Sequence, residues 1–347
     1  MVHRSAAILS ICGSVAGTAL LGLGSAYAHH GVGAQFDLDT VIELQGEVTE
    51  VLWRNPHVRF SIALEDDGGQ EAVWEVEAQS VTMLRQKDIT DVMIAVGDRV
   101  RLAGNPAHGG VEEVYVRHLL LADGRELMFA DNEAPLWSDD VVGLTGPRFA
   151  SEGVAADAER GIFKVWNRAS GSRRVGNFDV ATHPLTASSR AGIAAFDPLT
   201  DWPDKGECVL GRMPAIIFNP YPRELADDGD TIRFRFELYD TVRTIHMNPD
   251  TTPAAVASPL GFSTGHWEGD TLVVRTTNVV GGQFGRGIAM GDDAEFLERI
   301  SASDDGSRLN YTITVTDPSA FLEPAEITHH WIYLPGSTVP TYGCLEG

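Results

Sequence analysis

Cysteine is scarce in this chain, cations are outnumbered, and long apolar runs are almost missing. Of the 347 residues, 3 are Cys and 26 are Lys or Arg, against 49 Asp or Glu, for a formal net charge of −23. The shortage of cations argues against nucleic acid as a partner, because phosphates are neutralised by clustered Lys and Arg. It argues equally against docking on anionic lipid headgroups. No Cys-x-x-Cys pair and no His-x-x-x-His spacing occurs, so a preformed zinc site is not expected. No Lys-Ser/Thr follows the Gly281-Gly282, Gly285 and Gly287 loop, which speaks against a phosphate cradle there. There is no internal repeat, no low-complexity run and no βαβ alternation. Hydrophobic residues still make up 43%, enough for packed cores and too many for a disordered acidic chain.

One apolar run does stand out. His3 and Arg4 precede Ala6 to Leu23, and Ala26-Tyr27-Ala28 then supplies small residues at the −3 and −1 positions of a cleavage site. This pattern predicts a secretory signal peptide over 1–28 and a periplasmic or secreted product with no membrane span. The alternative is an uncleaved anchor, since the run of about 18 residues is nearly long enough to span. Its Gly content and the Ala-x-Ala site favour cleavage. Removal would leave Cys208 and Cys344, which an oxidising compartment would join as one disulfide. Free thiols or soft metal ligands are the competing reading.

The rest of the chain reads as mostly β, in two antiparallel barrel-like domains. Val41–Val51 and His57–Leu64 alternate apolar and polar residues at period two. Ala72–Val76, Asp98–Gly104, Glu113–Leu121 and Glu126–Phe129 follow, with one short helix expected over Ser80–Lys87. This predicts a small OB-like barrel over 29–130. Residues 131–160 have few large apolar side chains and read as a linker. From 161 to 347, strand signals recur: Gly161–Asn167, Ile216–Phe218, Thr231–Tyr239, Val242–Met247, Thr271–Thr277, Phe296–Ser303, Arg308–Thr316 and Ile327–Leu334. A helix over Thr186–Phe196 with Thr186 as N-cap interrupts them. The series predicts a larger lipocalin-like barrel or sandwich.

Several segments carry a resemblance. His29-His30, Phe36-Asp37, Leu44-x-Gly46-x-Val48 and Trp53-Arg54-Asn55-Pro56-His57 together resemble an uncharacterised family of exported bacterial proteins, a domain of unknown function. Its members open with His-His-Ser-Phe and carry a Trp-x-Asn-Pro-His motif. The likeness runs over 29–130, with Gly31-Val32-Gly33 departing from the usual Ser-Phe-Ala. Met213-Pro214, Pro220-Tyr221-Pro222, Val242-Arg243-x-Ile245-His246-Met247 and Gly265-His266-Trp267-Glu268-Gly269-Asp270 resemble a second uncharacterised group of exported β-proteins. Asn248-Pro249-Asp250 replaces the Asp-Gly-Arg usual there. Neither resemblance implies an activity.

Two sets of side chains are candidates for chemistry. Cleavage after Ala28 would give His29 a free α-amine beside its imidazole, a chelating pair. His57 or His30 would add a third nitrogen and complete a T-shaped set suited to copper as Cu(II). The competing reading is a solvated terminus, with His57 simply starting a strand. In the larger barrel, Arg233, Arg235, Glu237 and Tyr239 alternate with Ile232, Phe234, Phe236 and Leu238. If the polar set points inward it lines a ligand cavity, joined by Arg243, His246, His266, Glu268 and Asp270. Otherwise it is a solvated outer face with cross-strand ion pairs. The leading expectation is a periplasmic protein that binds a small molecule in its C-terminal barrel. The alternatives are a cofactor-free lyase or isomerase using His266 or His246 as base and Arg243 as anion clamp, and a cell-envelope interaction module.

Overall fold

Strand periodicity becomes two barrels in the computed structural model, which describes residues 32–65, 71–143, 149–170, 183–197, 201, 211–248, 250–252, 257–285 and 287–343. A single helical turn, α1 (Val32–Gln35), leads into β1 (Ile42–Leu52), β2 (Arg59–Glu65) and β3 (Glu71–Glu77). Then come α2 (Val81–Arg85), β4 (Arg99–Pro106) and β5 (Glu113–Leu120). The pairings run β3-β2-β1-β4-β5, and a parallel β3–β5 pairing closes the ring. Closure leaves no free edge among these five strands. The inward residues form one core that includes Val48, Phe60, Ile62, Val76, Leu102 and Val116. The Gly in Leu-x-Gly-x-Val now has a reason: β1 crosses β2 so closely that a Cβ on Gly46 would lie 2.4 Å from the Ala63 carbonyl oxygen.

Two further strands, β6 (Glu126–Met128) and β7 (Val141–Gly143), extend this sheet beyond β5. The segment between them is held by the Glu126 carboxylate, which accepts from the backbone N–H of Leu136, Trp137 and Ser138 at 2.8, 2.7 and 3.0 Å. Burial raises the Glu126 pKa, but those donors and His118 outweigh it and hold the group below the ordinary carboxylate range.

The second barrel comprises β8 (Val165–Arg168), β9 (Arg223–Asp227), β10 (Thr231–Phe236), β11 (Val242–His246), β12 (Phe262–Glu268), β13 (Thr271–Thr277), β16 (Glu295–Ala302), β17 (Arg308–Thr316) and β18 (Ala325–Tyr333). It closes in the order β10-β11-β12-β13-β16-β17-β18-β8-β9 and is a barrel rather than a sandwich. All its neighbours are antiparallel except β11 and β12. Helix α3 (Ala187–Ala195) lies between β8 and β9, with Thr186 accepting from the Ser189 N–H at 3.2 Å as its cap. A small hairpin, β14 (Gln283–Gly285) with β15 (Ile288–Ala289), contacts it.

Two expected features are corrected. Ile216–Phe218 lies in a 3₁₀ turn, Ala215–Phe218, because Arg223 gathers the carbonyls of Ile217, Asn219 and Tyr221 on one guanidinium. Strand β10 stops at Phe236, where Glu237–Asp240 turns with Tyr239 at φ 56°. Strands β9 and β12 were not expected from the pattern, since neither keeps a clean two-residue alternation in its sequence.

The two barrels touch through α2. Ser80 caps that helix and accepts from the Tyr221 hydroxyl at 3.1 Å. Thr82 donates to Glu237. Asn55 accepts from the Val81 N–H at 2.9 Å and donates to the Tyr342 carbonyl at 2.5 Å. The Asn of Trp-x-Asn-Pro-His therefore ties α2 to the C-terminal segment.

Candidate functional site

The polar alternation on β10 resolves toward the outside. Ile232, Phe234 and Phe236 are buried, whereas Arg233 is exposed and paired with Asp228 at 3.0 Å. Arg235 reaches the Pro340 carbonyl at 3.5 Å, outside the barrel. Glu237 and Tyr239 belong to the turn after β10: Glu237 meets Thr82, and the Tyr239 ring meets Tyr342 at 5.3 Å between centroids. The apolar set won because a closed interior offers no water to the guanidinium groups, while the outer wall does.

Arg243 takes the inward phase on β11 and is buried. It donates to Glu298 from two nitrogens, to Ser263 Oγ at 3.0 Å and to Thr276 Oγ1 at 2.6 Å. Tyr311 donates to the same carboxylate at 2.6 Å. Burial would lower the Arg243 pKa, but Glu298 more than offsets it and keeps the guanidinium charged. Burial, then Glu298, pushes the Tyr311 hydroxyl well up. Nearby, Arg223 lies over Trp331 at 4.5 Å, and burial pulls its pKa down. His329, packed on Phe218 and Trp331, is pushed down to about 3 by burial and by Arg223. Among the described residues the interior thus holds aliphatic and aromatic side chains around this ion-pair network. Arg243 is committed to that network and is not available as an anion clamp.

The histidines proposed as bases lie elsewhere. His266 is exposed on the outer wall, 3.4 Å from Glu268, which also takes Arg299 at 2.8 Å. His246 stacks on Phe262 at 5.0 Å. Neither converges with Arg243. In the smaller barrel, His57 sits 3.0 Å from Glu77 and 3.1 Å from the Ala78 carbonyl. Burial raises Glu77, but His57 and Arg59 outweigh it and the carboxylate ends below its usual range. His29, His30, Cys208 and Cys344 lie outside the described residues, so the copper set and the disulfide do too. Among the described residues no three metal-ligating groups converge.

What sequence reasoning overlooked is one end of the larger barrel. A cavity of about 590 Å³ opens there, between the β12–β13 hairpin, the β16–β17 hairpin and the 158–163 segment. On β12 the inward phase runs Ser263, Gly265, Trp267. Ser263 and Gly265 are buried, and Trp267 at the rim is 43% exposed. Its ring meets Phe163 edge-on, 6.0 Å between centroids and 71° between planes. Behind Trp267 the strand is tightly packed: a Cβ on Gly265 would lie 2.8 Å from Ile245. Carboxylates of Glu159, Asp270 and Asp304 and the Arg160 guanidinium rim the opening.

The wall of this mouth is pinned from inside. Lys164 is fully buried, donating to the carbonyls of Ala156, Asp157 and Gly306 at 3.1, 3.1 and 2.8 Å. Its ammonium also lies over the Tyr333 ring at 4.4 Å. Lys164 thereby ties the 156–163 segment to the β16–β17 hairpin. A second, glycine-lined cleft of about 340 Å³ lies between α3 and the β14–β15 hairpin. Neither cavity is lined by Arg235, Glu237, Tyr239, Arg243, His246 or His266. The residues of the mouth stand in the chain as Gly265-x-Trp267 followed by Glu268-Gly269-Asp270, a segment whose irregular alternation hid β12.

Residues 19–114 match a family of unknown function, DUF6152. No curated protein matches the chain. Among solved structures, the chain is similar to the mitochondrial single-stranded DNA binding protein Rim1 of S. cerevisiae. One crystal form aligns at 13% identity and a TM-score of 0.20, covering 24% of this chain and 92% of that one. A second form gives 12%, 0.19, 24% and 94%. A likeness at that level transfers no function. Among the described residues no helix is long and apolar enough to cross a membrane.

Proposed function

We propose that this is an exported protein of the periplasm or cell exterior that binds a small molecule without transforming it, at the mouth of its nine-strand barrel. The observation that carries the reading is the cavity of about 590 Å³ with a half-exposed Trp267 set against Phe163. Barrel mouths are recurrent ligand sites, and an aromatic wall with a few polar groups at the rim is their usual composition. Export is supported by the apolar Ala6–Leu23 run and the Ala26-Tyr27-Ala28 site. A binding role is favoured over a lyase or isomerase because Arg243, His246 and His266 do not share one space. General acid–base chemistry needs the base within hydrogen-bond reach of the substrate that the clamp holds.

The test is native mass spectrometry of the full protein recovered from its own cells. The reading predicts a small-molecule adduct that denaturation releases and that Trp267→Ala loses. Bare protein mass in both forms would contradict it and favour the interaction-module alternative.

A further inference from the structure

The rim of the mouth has a sign. Asp270 and Asp304 are exposed at the ends of the two hairpins, and neither carboxylate has a hydrogen bond or ion pair with another described residue. Glu159 adds a third. Arg160 is the cation of the lining, Lys164 is buried with its ammonium on three carbonyls, and Arg299 lies close by, paired with the Glu268 carboxylate. Close to this end, the Asp305 carboxylate is held down to about 2 by Ser303 and Ser307, so it stays ionised under all ordinary conditions. The open space is therefore walled by two aromatic rings and bordered by an excess of negative charge.

Resting on the binding role proposed above, we infer that the mouth selects a small amphipathic cation, an ammonium group carried on an apolar body. The ring faces of Trp267 and Phe163 attract a cation through their quadrupoles, and Trp is the strongest such surface. An alkylated ammonium is weakly hydrated, so moving it against the rings costs less than moving a bare ammonium. Asp270 and Asp304 would not need to touch it, because their field adds over the short distances across the opening. An anion of the same shape would meet the carboxylates with Arg160 as the one cation of the lining to oppose them. A neutral body of the same shape would gain the apolar contact alone. The interior of the protein already contains the same chemistry, in the Lys164 ammonium over Tyr333 at 4.4 Å.

Three isosteric probes separate these cases: choline, 3,3-dimethylbutan-1-ol and 3,3-dimethylbutanoate, each titrated calorimetrically into the full protein at low salt. Choline is expected to bind at least tenfold more tightly than the neutral alcohol, with the carboxylate weakest. Asp270→Asn with Asp304→Asn should cut choline affinity about tenfold and leave the alcohol unchanged, and Trp267→Ala should abolish both. Because the two Asp are exposed turn residues, their variants keep the fold, and a far-ultraviolet spectrum checks it. Equal binding of choline and the alcohol, or tighter binding of the carboxylate, overturns the charge assignment. If a Trp267-dependent native adduct is found, the binding role survives that result. No binding of any probe overturns the inference, and the absence of a native adduct as well removes the binding role with it.

Discussion

Arg243 and Glu298 show how a residue that looks catalytic can be architectural. A guanidinium and a carboxylate, both buried, satisfy each other and three hydroxyls inside the larger barrel. Removing one partner leaves a buried charge, which typically costs 3–5 kcal/mol, whereas replacing both with apolar groups is often neutral. Glu298→Gln is therefore expected to lower unfolding stability by about 3–5 kcal/mol in urea. The double variant Arg243→Met with Glu298→Leu should recover most of that loss. Equal stability of the single variant and the wild type would contradict a charged pair.

His329 gives a pH prediction at the same scale. Its folded pKa of about 3 lies below the usual 6.5, so the unfolded chain binds the proton more tightly. Stability from this group is full above 6.5 and is lost as pH falls toward 3. The imidazole resonances of His329 should accordingly not titrate between pH 5 and 8, which two-dimensional NMR can check. Lys164 and Trp267 were the residues hardest to read from sequence. A lysine between Phe163 and Val165 gives no sign that three carbonyls will gather it, because those carbonyls come from remote turns. Trp267 lies on β12, a strand the alternation does not mark, so its place at the end of the barrel was not legible either.

At the scale of elements, alternation in the chain identified most strands. Val41–Val51, Glu113–Leu121 and Arg308–Thr316 correspond closely to β1, β5 and β17. Thr186 as cap of α3 was equally legible, since a Thr before a helical run has a local reason to be there. The face of β10 was not. Arg233, Arg235, Ile232 and Phe234 alternate identically whichever face is inward, and only closure of the barrel decides. The 3₁₀ turn at 215–218 was hidden because its organiser, Arg223, follows the segment and acts through tertiary contacts.

The docking of α2 against the second barrel is the element with the clearest pH linkage. Glu237 is fully buried there, one oxygen accepting from Thr82 and the other, Oε2, without a hydrogen-bond partner among the described residues. Burial pushes its pKa up to about 7. For a carboxyl raised above its unfolded value, the folded state binds the proton more tightly. Its contribution is full below 4.5, declines as pH rises to about 7, and is gone above that. A shift of that size corresponds to roughly 3 kcal/mol. Glu237→Gln should flatten the fall in stability between pH 5 and 7, measured by chemical denaturation. An unchanged slope would show that the carboxyl is not confined at this contact. Asn55→Ala should cost about 1–3 kcal/mol, because it leaves the Val81 N–H and the Tyr342 carbonyl without their partner. Hydrogen exchange should then quicken at Val81 and around Tyr342 before it does in the β17–β18 ladder.

The chain as a whole, which folds into two closed barrels with separate cores, has a formal charge of −23. Self-repulsion at that charge destabilises the compact state at low salt and is screened over about 10 Å at 0.1 M. Raising sodium chloride from about 10 mM to about 150 mM should therefore raise Tm. The same acidity gives the mouth its sign.

The most direct measurement follows the indole N–H resonances of the seven tryptophans while choline is added. Trp267→Phe identifies the resonance at the mouth. The account predicts a saturable shift of that resonance, with those of the buried Trp166 and Trp331 unmoved. A titration in which the Trp267 resonance stays fixed, or in which the resonances that move belong to other tryptophans, would contradict it.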